Sequence, residues 1–276
     1  MRLDAHQHFW RYTASEYGWI GGDMAALRHD FLPDDLAREQ VPIGFDGSIA
    51  VQARQSLQET EWLLQLADDH ERIRGVVGWL DLCSPELPGQ LERFAAHPKL
   101  RGVRHVVQDE PDDQFLLRED FRRGIGMLAR RDLTYDILIF PRHLPAACDL
   151  VKSFPDQPFV LDHLAKPSIK DRLLEPWGTQ IRELAALPNV LCKVSGMVTE
   201  ADWRRWKRAD LLPYLDLVFS AFGAERIMIG SDWPVCTLAA SYADTMGIVI
   251  DYVGALSRDE QSRVLGENAR EFYRVG

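Results

Sequence analysis

Two histidines stand two residues apart in the stretch LDAHQHFW, residues 3–10. In an extended strand side chains alternate, so His6 and His8 are expected to point to one face. Paired imidazoles fill a core badly and hold a metal ion or a substrate oxygen well. Asp232, in IMIGSDWPV, closes an apolar run just before Trp233-Pro234, where the chain must turn. A carboxylate there can act as general base on water or ligate a metal. His163, in VLDHLAKP, can protonate or polarise a substrate oxygen. Lys193, in VLCKVSG, lies inside an apolar run where an ammonium needs a partner. That partner is a substrate carbonyl or carboxylate on one reading and a strand-end aspartate on the other. Arg54, after IAVQA, and Arg104 can grip a carboxylate or hydroxyls bidentately. The plainer readings are solvation for Arg54, pairing with Asp109 for Arg104, and a satisfied wall position for the neighbouring His105.

The elements that must carry these residues recur. Short apolar or β-branched runs fall at 3–9, 47–53, 75–82, 101–107, 133–139, 158–164, 190–195 and 226–231. Between them lie amphipathic stretches. In 60–70, Trp62, Leu63, Leu66 and Ala67 share a helical face, and Ile181, Leu184, Ala185 and Leu187 do so in WGTQIRELAALP. Ser257 with Glu260 three residues on reads as a capping-box start for SRDEQSRVLGENAREFY. Eight strands alternating with helices over about 250 residues fit a single-domain (β/α)8 barrel spanning residues 1–276. A doubly wound sheet is weaker, since no glycine-rich phosphate loop follows any strand. In a barrel every run places a polar residue near its C-terminal end: His6 and His8, Gln52, Asp81, Arg104 and His105, Asp136, Asp162 and His163, Lys193, and Asp232. One such residue is ordinarily structural. All eight ends together argue for an active site at the barrel mouth. The connections 10–46 and 196–225 are long and aromatic-rich, as substrate lids are.

Composition narrows the chemistry. A net charge of −10 argues against nucleic acid or an anionic membrane as the main partner. Four well-separated cysteines argue against structural zinc and a disulfide framework. No leader pattern opens the chain and no apolar run approaches membrane length, so a cytoplasmic protein is expected. The sequence fixes no oligomeric state. A G-x-S-x-G nucleophile elbow is absent, so an acyl-enzyme route has no support.

DAHQHFW, VQA, GVRHVVQDE, VLDHLAKP, CKVSGMVTEADW and GSDWPV, with GENAREFY at the end, together resemble the amidohydrolase superfamily. More narrowly, the chain is similar to its sugar-lactonase branch, the L-fuconolactonase and L-rhamnonolactonase group. The resemblance implies a (β/α)8 barrel that hydrolyses a sugar-acid lactone such as L-fuconolactone. Asp232 would deprotonate water and later protonate the departing alkoxide. His6, His8 and His163 would surround the carbonyl oxygen, and Lys193 and Trp233 would line the substrate site, with Arg54, Arg104 and His105 as further substrate contacts.

Metal-dependent relatives carry a histidine on strand 5, where this chain has Tyr135 and Asp136, and no lysine that could be carbamylated stands on strand 4. A two-metal centre is therefore not expected. One divalent ion such as zinc on His6, His8 and Asp232 fits, with turnover expected to survive its removal. Two rivals remain at this stage: a metal-dependent decarboxylase of the same superfamily, which needs the missing strand-5 histidine, and a barrel nuclease, which the charge opposes. A catalytically dead binding barrel is opposed by the intact Asp232, His6, His8 and His163.

Overall fold

The protein, described over all of residues 1–276 by a computed structural model, is built on eight parallel strands, each paired with its sequence neighbours. They are β1 (Leu3–Gln7), β2 (Gly47–Val51), β3 (Ile73–Gly78), β4 (Leu100–Val106), β5 (Thr134–Leu138), β6 (Phe159–Leu161), β7 (Val190–Val194) and β8 (Ile227–Ile229). One helix follows each strand: α1 (Pro33–Gln40), α2 (Leu57–Asp69), α3 (Leu87–Phe94), α4 (Glu119–Leu128), α5 (Leu144–Ser153), α6 (Trp177–Ala185), α7 (Arg208–Phe222) and α8 (Tyr242–Val253). This is the (β/α)8 barrel that the alternation of runs predicts.

Two apolar layers hold it. The larger lies mainly between strands and helices, and includes Leu63 and Ala67 of α2 and Ile181, Leu184 and Ala185 of α6. The smaller gathers Leu3, Ala5, Ile49, Val51, Val77, Val160 and Met228 from the strands with Tyr273 and Val275 from the chain's end. Parallel strands covered on both sides read as continuous apolar runs, which is why the pattern was strong.

The barrel closes between β1 and β8 with little ladder. Gln7 bridges Trp233, His8 N donates to Trp233 O at 2.7 Å, and Asp232 N donates to His6 O at 2.8 Å. Below these, buried Asp4 acts as a clamp. Its carboxylate accepts from Ser231 N at 2.9 Å, Ser231 Oγ at 2.6 Å and Tyr242 Oη at 3.1 Å.

The strands are shorter than their apolar runs at the functional end. The run 158–164 leaves the sheet after Leu161, and residues His163–Lys166 adopt left-handed backbone, with φ of 52°, 54°, 58° and 52°. Asp232, just beyond β8, is also left-handed at 57°. The connection read as 196–225 contains α7 from Arg208, so the loop before the helix is under half that length. The connection 10–46 likewise includes α1.

The closing helix is not continuous. Ser257 and Glu260 do form the capping box on α9 (Arg258–Ser262), but a wide turn at Arg263–Glu267 separates it from α10 (Asn268–Phe272). A Cβ on Gly266 would stand 2.1 Å from the Met1 carbonyl oxygen, so the turn widens where the first strand's backbone passes.

Candidate active site

β1 brings His6 and His8 together. Their Nε2 atoms lie 3.2 Å apart, both residues being buried. The β1–β2 register shifts between Asp4 and Gln7, an irregularity of the kind that re-aims side chains at barrel rims. His8 Nδ1 lies 2.8 Å from Val51 O. A carbonyl only accepts, so Nδ1 carries the proton and Nε2 presents a lone pair. That lone pair faces Asp232 Oδ1 at 3.3 Å. The same oxygen lies 3.8 Å from His6 Nε2 and 3.8 Å from His163 Nε2. Three imidazoles therefore converge on one carboxylate oxygen.

Each is held from behind. The left-handed turn aims His163 across the mouth, and its Nδ1 is 2.9 Å from Ser195 Oγ. Gly196, itself left-handed at φ 63°, leaves room for this ring, since a Cβ there would stand 2.7 Å from His163 Nδ1. Burial lowers the His163 imidazole to about 4, so it is neutral near pH 7. Burial likewise pushes His6 well below its ordinary value. For Asp232 burial raises the carboxyl, but the surrounding imidazoles, His163 first, outweigh it and hold the group below the usual carboxylate range.

Beneath His6 lies a buried charged network. Lys193 Nζ contacts Asp136 Oδ2 at 2.5 Å, Asp162 Oδ1 at 3.1 Å and His6 Nδ1 at 3.3 Å. Tyr273 donates to Asp136 at 2.8 Å. Arg104 donates to Asp162 at 3.0 Å and to Gln52 O at 2.5 Å, and its Nη1 lies 3.3 Å from His6 Nε2.

Above the imidazoles opens a cavity of about 500 Å³. His8, His163, Asp232, Arg104 and Arg54 line it, as do Glu16, Gly18, Trp19 and Met24 from the β1 connection. Thr199, Glu200 and Trp203 from the β7 connection, and Lys166, complete the opposite wall.

Several candidates sit elsewhere than expected. Lys193 is fully buried and is not among the residues lining this cavity; its ammonium pairs with Asp136 and Asp162 instead, as the aspartate reading has it. Trp233 is buried between Phe9 and Phe31, at ring distances of 6.1 and 5.2 Å, rather than lining the mouth. His105, one residue beyond Arg104, faces the opposite side of β4. It bonds Glu110 at 2.6 Å and stacks on Phe115. Arg104 pairs with Asp162 rather than Asp109.

Lys166, Ser195, Glu200 and Glu59 were not singled out from sequence. Glu59 is buried at the start of α2, and its carboxylate accepts from Ala53 N at 3.0 Å, Arg54 N at 2.9 Å and Tyr17 Oη at 3.3 Å, tying the β1 connection to the end of β2. The signal was present as Ser56-x-x-Glu59, a capping-box pattern, but this glutamate bonds the preceding loop instead.

The atoms His6 Nε2, His8 Nε2 and Asp232 Oδ1 lie 3.2–3.8 Å apart. Ligands about 2.0–2.2 Å from a tetrahedral ion stand roughly 3.3–3.6 Å from one another. Acceptors crowded this closely need a shared proton or a cation, and the set fits a divalent ion.

A carboxylate ringed by imidazoles at the C-terminal mouth of a (β/α)8 barrel has the chemistry to activate water. Ser195 is buried behind His163 and is not among the residues lining this cavity, a position that suits orienting the ring. The chain belongs to the Amidohydro_2 family of amidohydrolases, which it matches over residues 3–275. It is 45% identical over 284 residues to an L-fucono-1,5-lactonase of Burkholderia multivorans, covering 99% of this chain and 96% of that one. An L-fucono-1,5-lactonase of Burkholderia ambifaria is 37% identical over 99% of this chain and 96% of its own. A crystal structure of a Burkholderia multivorans amidohydrolase with bound zinc is 45% identical, covers 100% of both chains and superposes with a TM-score of 0.95.

Proposed function

We propose that this protein hydrolyses a sugar-acid lactone, L-fucono-1,5-lactone or a near relative, with Asp232 activating water. The observation that carries the reading is the Asp232 carboxylate facing three imidazoles on the floor of a cavity sized for a small molecule. Full-length similarity to two L-fucono-1,5-lactonases supports the substrate class.

In this scheme the water oxygen attacks the lactone carbonyl carbon as its proton passes to Asp232. A carboxyl held this low is a weak base alone. His8 Nε2, an acceptor 3.3 Å away, is placed to take the proton on from it. The oxyanion takes hydrogen bonds from Arg104 and from His163, in the tautomer in which Nδ1 accepts from Ser195 Oγ and Nε2 carries the proton. The ring C–O bond then breaks, and the Asp232–His8 pair returns the proton to the departing alkoxide. The product is the open hydroxy acid.

Zinc is the divalent ion we favour for His6, His8 and Asp232; when bound it supplies Lewis-acid polarisation of a carbonyl or water. Arg104 Nη1, a fixed positive charge 3.3 Å from His6 Nε2, opposes a tightly held dication. Turnover is therefore expected without metal. The decarboxylase and nuclease readings are not favoured, and a net charge of −10 suits a small neutral substrate better than nucleic acid. No helix is long and apolar enough to cross a membrane, and all four cysteines are free thiols, which suits our reading of a cytoplasmic enzyme.

The test is purified protein assayed on a panel of aldonolactones, before and after chelation, with pH-indicator detection of the released acid. Turnover of L-fucono-1,5-lactone is expected. Activity on none of the panel would overturn the reading.

A further inference from the structure

Most charged side chains around the cavity already have partners. Glu16 and Arg54 bond each other at 2.6 Å, Glu110 holds His105 at 2.6 Å, and Arg104 holds Asp162 at 3.0 Å. Lys166 and Glu200 differ. Their ion-pair approach to each other is long, Nζ to Oε1 at 3.9 Å, and the Lys166 ammonium stands 5.6 Å from the centre of the Phe140 ring. Hydrogen bonds of this kind run to about 3.2 Å, so neither group makes one. Both side chains are nonetheless largely buried, with 20% and 24% of their surface exposed. Burial also pushes the Glu200 carboxyl above its ordinary value, ahead of the opposing pull of Lys166.

The backbone holds this pair in place at some cost. Lys166 ends the left-handed run that begins at His163, and its N–H donates to His163 O at 2.7 Å. Left-handed backbone is strained at residues with a Cβ. Such strain persists only where the surroundings over-determine it, and it clusters at functional sites. Glu200 is fixed from the other side, its carbonyl accepting from Lys170 N at 3.0 Å. The fold therefore sets an ammonium with three donors and a carboxylate with about four acceptor positions side by side, with no short hydrogen bond between them.

We propose that Lys166 and Glu200 form the subsite that reads substrate hydroxyls, the ammonium donating to one ring hydroxyl oxygen and the carboxylate accepting the O–H of its neighbour. This rests on the lactone reading and deepens it: the preferred substrate carries adjacent hydroxyls on the ring face turned toward the β6 and β7 ends. A diol inserted between the two groups converts one over-long contact into two charge-assisted hydrogen bonds.

The test measures kcat/KM on L-fucono-1,5-lactone and on unsubstituted δ-valerolactone for wild type, Lys166→Met, Glu200→Gln and Lys166→Arg, with thermal melts to confirm folding. The quantity read is the ratio of kcat/KM for the sugar lactone to that for δ-valerolactone. It should fall about 10- to 100-fold in Lys166→Met and Glu200→Gln, the size of one lost charge-assisted hydrogen bond. Lys166→Arg should recover part of it. An unchanged ratio, whether both activities fall together or neither falls, overturns the subsite and leaves the pair as a latch between two loops. If wild type opens neither lactone, the functional reading fails and the subsite fails with it.

Discussion

Replacing Lys193 with methionine separates a residue that supports the site from one that touches substrate. The ammonium lies 2.5 Å from Asp136 and 3.1 Å from Asp162, and all three side chains are fully buried. Removing one partner of a buried pair costs about 3–5 kcal/mol, because the remaining charge is stranded. Asp162 keeps Arg104 and His6, so the stranded group is Asp136, left with the Tyr273 hydroxyl alone. Burial already raises its carboxyl to about 6 despite Lys193. Without the ammonium it should rise further and stay protonated at neutral pH. A folded state that binds one more proton than the unfolded chain loses stability as pH rises, by about 1.4 kcal/mol per unit. The deficit of Lys193→Met relative to wild type should therefore shrink as pH falls from 8 toward 6, by about 2 kcal/mol. Below about 6 wild-type Asp136 takes up the same proton, and the difference should level off. Urea denaturation at pH 8, 7, 6 and 5 measures this directly. At pH 6 the variant should also lose kcat, through a loosened His6, with KM little changed. A deficit independent of pH, or a KM that rises while kcat holds, would refute the reasoning and return Lys193 to the substrate.

Three further expectations concern the site and its lid. Asp232→Asn should lower kcat by about 10²–10⁴-fold while the melting temperature stays near that of wild type; more than about a tenth of the activity remaining would remove Asp232 from the base role. Chelated protein should keep most of its turnover by metal analysis and assay of one sample, while His6→Asn and His8→Asn still lose activity; full loss restored by added zinc would favour a zinc-bound hydroxide instead. Trp19, 39% exposed on the cavity wall, should on truncation to alanine raise KM for sugar lactones more than for δ-valerolactone, and equal effects on both would make the β1 connection structural only.

The barrel was legible because each of its signals is local and repeated. Strands buried on both faces must be apolar throughout, helices must show one apolar face, and eight alternations leave few other architectures. The limits of the strands were less legible. Phe159–Leu161 ends two residues before His163, because a left-handed turn reads the same as a strand when only hydrophobicity is compared. The convergence of His6, His8, His163 and Asp232 was legible for a related reason: polar side chains at strand ends of a barrel have one common place to point. Side-chain parity gave less help one residue further along, and His105 turned out to face Phe115 while Arg104 faced the lumen.

What the sequence left open is what depends on contacts between distant segments. Lys193 reads alike whether it meets a substrate or Asp136, since the two lie 57 residues apart and only the sheet's closure joins them. The same holds for Asp4, which looks like an ordinary strand residue yet clamps Ser231 from 227 positions away and so fixes the turn that carries Asp232. The metal question is of this kind as well. Spacing alone offers His6 and His8 as ligands, but the guanidinium of Arg104, 98 residues from His6, stands 3.3 Å from the nitrogen an ion would need. A dication at that nitrogen must share it with a permanent positive charge, and the imidazole–carboxylate set can instead share a proton. On this reasoning Arg104 biases that balance toward the proton. Arg104→Met should accordingly raise zinc affinity, measured by competition with a chelating dye, while weakening metal-free turnover. Unchanged affinity in that variant would show that the guanidinium does not govern the site.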